Sequence, residues 1–224
     1  MVFNQSTRNA KPLKDRLNTM KPQEIETLSF KIIEEEAGNH SFGPDQWPVV
    51  RRMIHTSADF DYIRSIRFNA DAVQTGITAI KRGCQIFTDT HMARVGIRKK
   101  EIQEFGGQVD CLIADEAVAK KALAAGTTRA LAAVDMACDR MKDGIYVVGN
   151  APTALLRLIE LIKDKKAHPA LVIGVPVGFV NAAESKEELM GQDIPYITNK
   201  GRKGGSNIAA SIVNALAIMA VENQ

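Results

Sequence analysis

The sequence has little excess charge of either sign. Its 224 residues carry 29 Lys and Arg against 26 Asp and Glu, a formal net charge of +3. That balance argues against a nucleic-acid coat protein, although a local basic pocket stays possible. Cysteine is scarce. Cys84, Cys111 and Cys138 stand apart and form no C-x-x-C pair, which excludes a disulfide scaffold and points to reduced thiols. No apolar run approaches the ~18 residues a transmembrane helix needs. The polar start, Met1–Met20, lacks the apolar core of a secretory signal. Neither a Walker A loop nor a G-x-G-x-x-G fingerprint occurs. The four histidines, His40, His55, His91 and His168, show no metal-ligand spacing. These absences predict a cytoplasmic protein with no protein-bound metal, no nucleic-acid partner and no membrane partner.

What is present is an ordinary globular composition. Hydrophobic residues make up 45% and charged residues 25%, enough to build one core. The length favours one compact α/β domain. Residues 1–20, rich in Asn, Ser, Thr and Lys, read as a flexible N-terminal extension, and residues 21–224 as a single domain. Ile25, Leu28, Ile32 and Ile33 recur at helical spacing over Pro22–Ala37, with Gly38–Asn39 as a stop. Further helices are expected over Asp45–Thr56 and Asn69–Lys81. Short apolar runs then alternate with helices: Gln85–Thr88, Val109–Ile113, Ile145–Val148 and Leu171–Gly174. Continuous apolar runs suit strands buried on both faces, and the βα alternation predicts a mostly parallel sheet flanked by helices. The last helix has an apolar face of Ile208, Ile212, Ala215, Leu216 and Met219. Its small residues Ala209, Ala210, Ser211 and Ala217 suit close packing, either on the sheet or against a second subunit.

In such a fold ligands lie beyond the carboxyl ends of the strands, so the turns there carry the functional candidates. His55, between Arg51–Arg52 and Asp59–Asp61 near a helix end, is a candidate general acid or base, or a histidine bonded to local backbone. Gly149–Thr153 follows a strand and opens a helix, so its backbone N–H groups could bind an anion; a capped turn is the plainer reading. Gly174–Gly178 could line an apolar floor, or be a turn stiffened by Pro176. Gly201-Arg202-Lys203-Gly204-Gly205-Ser206-Asn207 joins two cations to flexible glycines and a helix start, which suits a phosphate or a polycarboxylate. Thr127–Arg129 offers hydroxyls and a guanidinium that could grip a carboxylate, or simply cap a helix.

Five stretches together resemble the precorrin-8X methylmutase family of cobalamin biosynthesis. They are IHTSADFD (54–61), TDTHMARVGI (88–97), GNAPTAL (149–155), GVPVGFVNAAESKEEL (174–189) and GRKGGSNIAASIVNAL (201–216). The resemblance implies an α/β homodimer and an isomerase that moves a methyl group from C-11 to C-12 of precorrin-8 or cobalt-precorrin-8. It implies no cofactor, because the methyl is already on the substrate and any cobalt belongs to the substrate. The family's catalytic histidine matches His55. The corrinoid, a tetrapyrrole with acetate and propionate arms, would be held by Ser29, Arg52, Thr90, Arg129, Asn150, Arg202, Lys203 and Ser206. Arg67 and Lys186 could serve there or be structural. A non-catalytic corrinoid-binding or channelling protein of the same family is the alternative. The wording around His55 and Thr88–Met92 leans toward the cobalt branch.

Overall fold

The structure is a computed structural model that describes residues 21–69 and 71–222. The expected extension over residues 1–20 lies outside the described residues. The chain divides into two compact units between Gly38 and Asn39. The first contributes the helix α1 (Pro22–Ala37). Glu24 accepts the Lys21 backbone N–H at 2.8 Å and so closes its first turn.

The second unit holds α2 (Gln46–Ser57), α3 (Tyr62–Ser65), β1 (Ile66–Phe68), α4 (Ala72–Lys81), β2 (Gln85–Thr88), α5 (His91–Gly96), α6 (Lys99–Gln103) and β3 (Gln108–Asp110). These are followed by α7 (Glu116–Ala124), α8 (Arg129–Ala137), β4 (Ile145–Val148), α9 (Pro152–Lys163), β5 (Leu171–Gly174), α10 (Ala182–Met190), β6 (Tyr196–Asn199) and α11 (Ser206–Glu222). The strands form one sheet in the order β1-β6-β5-β4-β2-β3. Every neighbouring pair is parallel except β1 and β6, where Ile66 faces Asn199 in antiparallel register. The expected α/β class holds. Three of the four expected strands match in full, the fourth is observed as Gln108–Asp110, and β1 and β6 are additional.

The two faces of the sheet are filled differently. Phe87, Tyr146, Val148 and Val172 face α8, α9 and α10 and form a core with Leu155, Leu158, Ile159 and Leu189. The Phe87 and Tyr146 rings stack with centroids 6.3 Å apart. Side chains alternate along a strand, so Leu171 turns the other way, toward α4 and α11. There a Cβ on Gly76 would come within 2.8 Å of both Leu171 and Leu216. Buried residues occur on nearly every side of α11, from Ile208 to Ala220. Its small residues admit neighbours within this unit: a Cβ on Gly96 would sit 3.0 Å from that of Ala210. The helix-on-sheet reading of α11 is therefore met, with helices also packed on its outer side.

Register aligns the carboxyl ends of the strands. Val148 pairs with Gly174, and Gly174 with Thr198. Gly149 lies directly against the start of α11, where a Cβ would fall 2.7 Å from Ser206 Cα. Only glycine lets these two backbones approach so closely.

Candidate active site

The turn after β2 is built around a buried carboxylate. Asp89 is 3% exposed. Its Oδ1 accepts the Gly149 N–H at 2.9 Å, and its Oδ2 accepts those of Asn150 and Ala151 at 2.8 and 2.7 Å. Burial pushes the Asp89 carboxyl up from the ordinary carboxylate range, and the three N–H donors oppose that shift. This corrects one sequence expectation. The backbone N–H groups of Gly149–Ala151 are not open to a ligand anion, because an anion of the chain already occupies them. The Asn150 side chain itself is exposed.

Thr90 and Ser206 come together from 116 positions apart in the sequence. Their hydroxyl oxygens are 2.7 Å apart, and Thr90 also caps α5 by accepting the Ala93 N–H. Thr128 caps α8 through the Leu131 N–H. Its hydroxyl lies 3.3 Å from that of Thr153 on the first turn of α9. Arg129, the next residue, therefore starts its helix beside the turn that carries Asn150. The Arg202 guanidinium lies over the exposed Phe179 ring, 5.5 Å from its centroid.

His55 sits in the last turn of α2, exposed, one residue after the buried Ile54. Arg52 precedes it by one helical turn, on the same face. The helix closes at Ala58, a left-handed residue (φ 54°) whose N–H donates to the Ile54 carbonyl at 2.7 Å. Lys203 was expected among the groups that hold the substrate arms. Its ammonium instead meets two carboxylates of its own chain, Asp59 Oδ2 and Asp61 Oδ2, each at 2.6 Å. Ser29 lies in α1, its hydroxyl donating to the Ile25 carbonyl at 2.9 Å. Arg67 donates to the carbonyls of Arg64 and Ile66, which makes it part of the local backbone frame. Lys186 is fully buried and donates to the Lys203 carbonyl at 2.7 Å. Burial pushes its ammonium down to about 8.

Asp59 provides a pH test of this arrangement. The hydrogen bond from Lys203 holds its carboxyl below the ordinary 3.8, with burial opposing. An acid whose folded value is depressed stabilises the fold above its unfolded value, and that contribution is lost as pH falls through the folded value. Carboxyl carbon NMR should therefore show Asp59 still ionised below pH 3.8. A midpoint at or above that value would count against the pairing.

Three residues that matter to this geometry escaped the sequence reading as site elements: Asp89, Asp59 and Asp61. A weak signal existed for Asp89, an isolated acid placed directly after an apolar strand. None existed for the partners of Lys203, which are more than 140 positions away.

A family model described as Precorrin-8X methylmutase matches residues 24–219. The chain belongs to the precorrin-8X methylmutase family. It is 50% identical over 202 residues to the cobalt-precorrin-8 methylmutase of Priestia megaterium, covering 90% of each protein. The corresponding protein of Leptospira interrogans is 44% identical over 203 residues, covering 87% of this chain and 92% of that one. A crystal structure of the precorrin-8X methyl mutase from Thermus thermophilus superposes with a TM-score of 0.83 at 43% identity. It covers 89% of this chain and 98% of its own. Methylmutases are isomerases, and this chain is an enzyme of that class. No helix among its described residues is long and apolar enough to cross a membrane.

Proposed function

We propose that this methylmutase moves the methyl group of cobalt-precorrin-8 from C-11 to C-12, giving cobyrinate in cobalamin biosynthesis, with His55 as the proton donor. The observation that carries the role of His55 is its position in the exposed last turn of α2, while Lys203 ties the following turn to the loop after β6. An acid there would stand beside the carboxyl edge of the sheet, where ligands of such folds bind.

His55 protonates the macrocycle at a ring nitrogen or an adjacent carbon. The methyl then migrates with its bonding pair: the bond to C-11 breaks, the bond to C-12 forms, and the proton returns to the histidine. Atoms and electrons balance within one substrate, so no external methyl donor enters, and cobalt travels as part of the substrate. Little charge separates in such a shift, so the rest of the catalysis is orientation and exclusion of water. Arg52, Arg129 and Arg202 hold carboxylate arms, with Thr90, Asn150 and Ser206 on the ring edge. The active form is a cytoplasmic homodimer. Support for the cobalt form is the naming of the relatives from Priestia and Leptospira.

The test is an absorbance spectrum of the protein mixed with cobalt-precorrin-8 and, in parallel, with the metal-free form. The shift rearranges the ring double bonds, so turnover changes the colour with nothing else added. Faster conversion of the cobalt form is expected. Binding of both without conversion would overturn the catalytic reading in favour of a corrinoid carrier.

A further inference from the structure

The loop between β6 and α11 carries two adjacent cations in different surroundings. Arg202 is stacked on Phe179. Lys203 lies between two carboxylates. One ammonium with two carboxylates leaves this trio with a net charge of −1, which repels a carboxylate arm. We propose that Lys203 is a positioning residue that orients the His55 turn through Asp59 and Asp61, and that it does not hold substrate. The proposal rests on the roles given above to His55 and Arg202.

Both ends of this tie are anchored. On the loop side, the Lys203 carbonyl accepts from the Lys186 ammonium at 2.7 Å and the Asn199 amide at 2.8 Å. Gly178 N–H donates to the Arg202 carbonyl at 3.2 Å, and Gly205 N–H to the Val175 carbonyl at 3.0 Å. Gly204 has φ 157°, and a Cβ there would run into the Val175 carbonyl oxygen. The loop is therefore laid flat on the segment after β5, and the Lys203 side chain leaves from a fixed point. Lys186, wholly buried beneath it, donates to that carbonyl and, at 3.5 Å, to Asn199 Oδ1.

On the His55 side, Asp59 divides its two oxygens. Oδ1 accepts the Asp61 N–H at 3.0 Å, and Oδ2 accepts from Lys203. Asp59 N–H in turn reaches Ser57 Oγ at 3.3 Å. This net surrounds Ala58, whose left-handed backbone is unfavourable for a residue with a Cβ. An exposed ion pair usually contributes little, because two long side chains must be ordered to form it. Here both carboxylates are short, and that of Asp59 is already fixed by the Asp61 N–H, so the ordering falls mainly on the lysine side chain. What the tie sets is the direction of the last turn of α2, and hence of the imidazole one turn earlier than Asp59.

The test compares full-length variants by steady-state conversion of the corrinoid and by NMR of the His55 ring in the ligand-free protein. Lys203→Met should lower kcat about tenfold or more, since small misplacements of a catalytic group are costly. Its KM should stay within about twofold, because no binding contact is removed. Asp59→Asn with Asp61→Asn should reproduce that loss. The triple variant should be no worse than either, because all three groups act as one unit. Lys203→Arg should recover most of the rate, and Arg202→Met should instead raise KM. In Lys203→Met the His55 ring signals should shift while the thermal midpoint holds. A raised KM at unchanged kcat in Lys203→Met would overturn the proposal, and so would full activity in the double aspartate variant. Failure of the function itself would show in the wild type, which would convert no corrinoid. The ring signals would then still decide whether Lys203 orients His55.

Discussion

Replacing His55 by Ala should cut turnover by about 10²–10⁴-fold, the range in which a positioned general acid contributes. Corrinoid binding and the fold should persist. The side chain is exposed, while Met53 and Ile54 on the same helix carry the packing of that end. In the proposed site the arms of the substrate are held by other groups, so KM should move less than kcat. Conversion followed by absorbance gives the rate, and quenching or a spectral shift at zero turnover gives the affinity. A folded His55→Ala protein with near-normal turnover would remove histidine from the mechanism and leave orientation alone to explain the shift.

Asp89→Asn should be the most damaging single-atom change near the strand ends. One carboxylate oxygen becomes an NH₂ group, and the amide cannot satisfy Gly149, Asn150 and Ala151 together. A buried donor left without an acceptor costs ~1–3 kcal/mol, and up to two donors are stranded here. A net loss of about 3 kcal/mol lowers the thermal midpoint of a chain this size by roughly 6–12 °C. Activity should fall with it, because the same turn starts α9 and faces Ser206 across Gly149. Thermal unfolding checks this directly. A shift below about 2 °C would mean that the turn holds its shape without the carboxylate.

How much of this was legible in the sequence depends on how locally each feature is encoded. Ile145–Val148 and Leu171–Gly174 are short apolar runs between turn residues, and the structure places both at the centre of the sheet. Ile66-Arg67-Phe68 alternates apolar, charged, apolar, but three residues are too few for that period to mark a strand. It becomes β1 only because β6 lies alongside to accept it. Val109–Ile113 reads as a longer run, but β3 is an edge strand and pairs only over Gln108–Asp110. Within the site, the family resemblance nominated Thr90 and the Gly201–Asn207 turn held Ser206, and their hydroxyls meet. Charge type nominated Lys203 as a free cation, and the sequence does not reveal that it pairs with carboxylates far away in the chain. The Gly149–Thr153 turn has the form of an anion site, and the sequence does not reveal that its own anion comes from the neighbouring strand end.

The burial of α11 on nearly all sides also bears on how the chain comes to be folded. Its residues 206–222 follow every strand, yet it lies against α2, α4 and α5, which are made more than a hundred residues earlier. Likewise β1 finds its partner among the described strands when residues 196–199 appear. Until then a nascent chain on the ribosome exposes the apolar side of α2 and one face of β4 and β5. Long-range pairings of this kind close slowly and leave sticky intermediates. Folding of this enzyme should therefore complete only once residues 206–222 are free to pack, and its yield in cells should depend on how well chaperones shield that unfinished face.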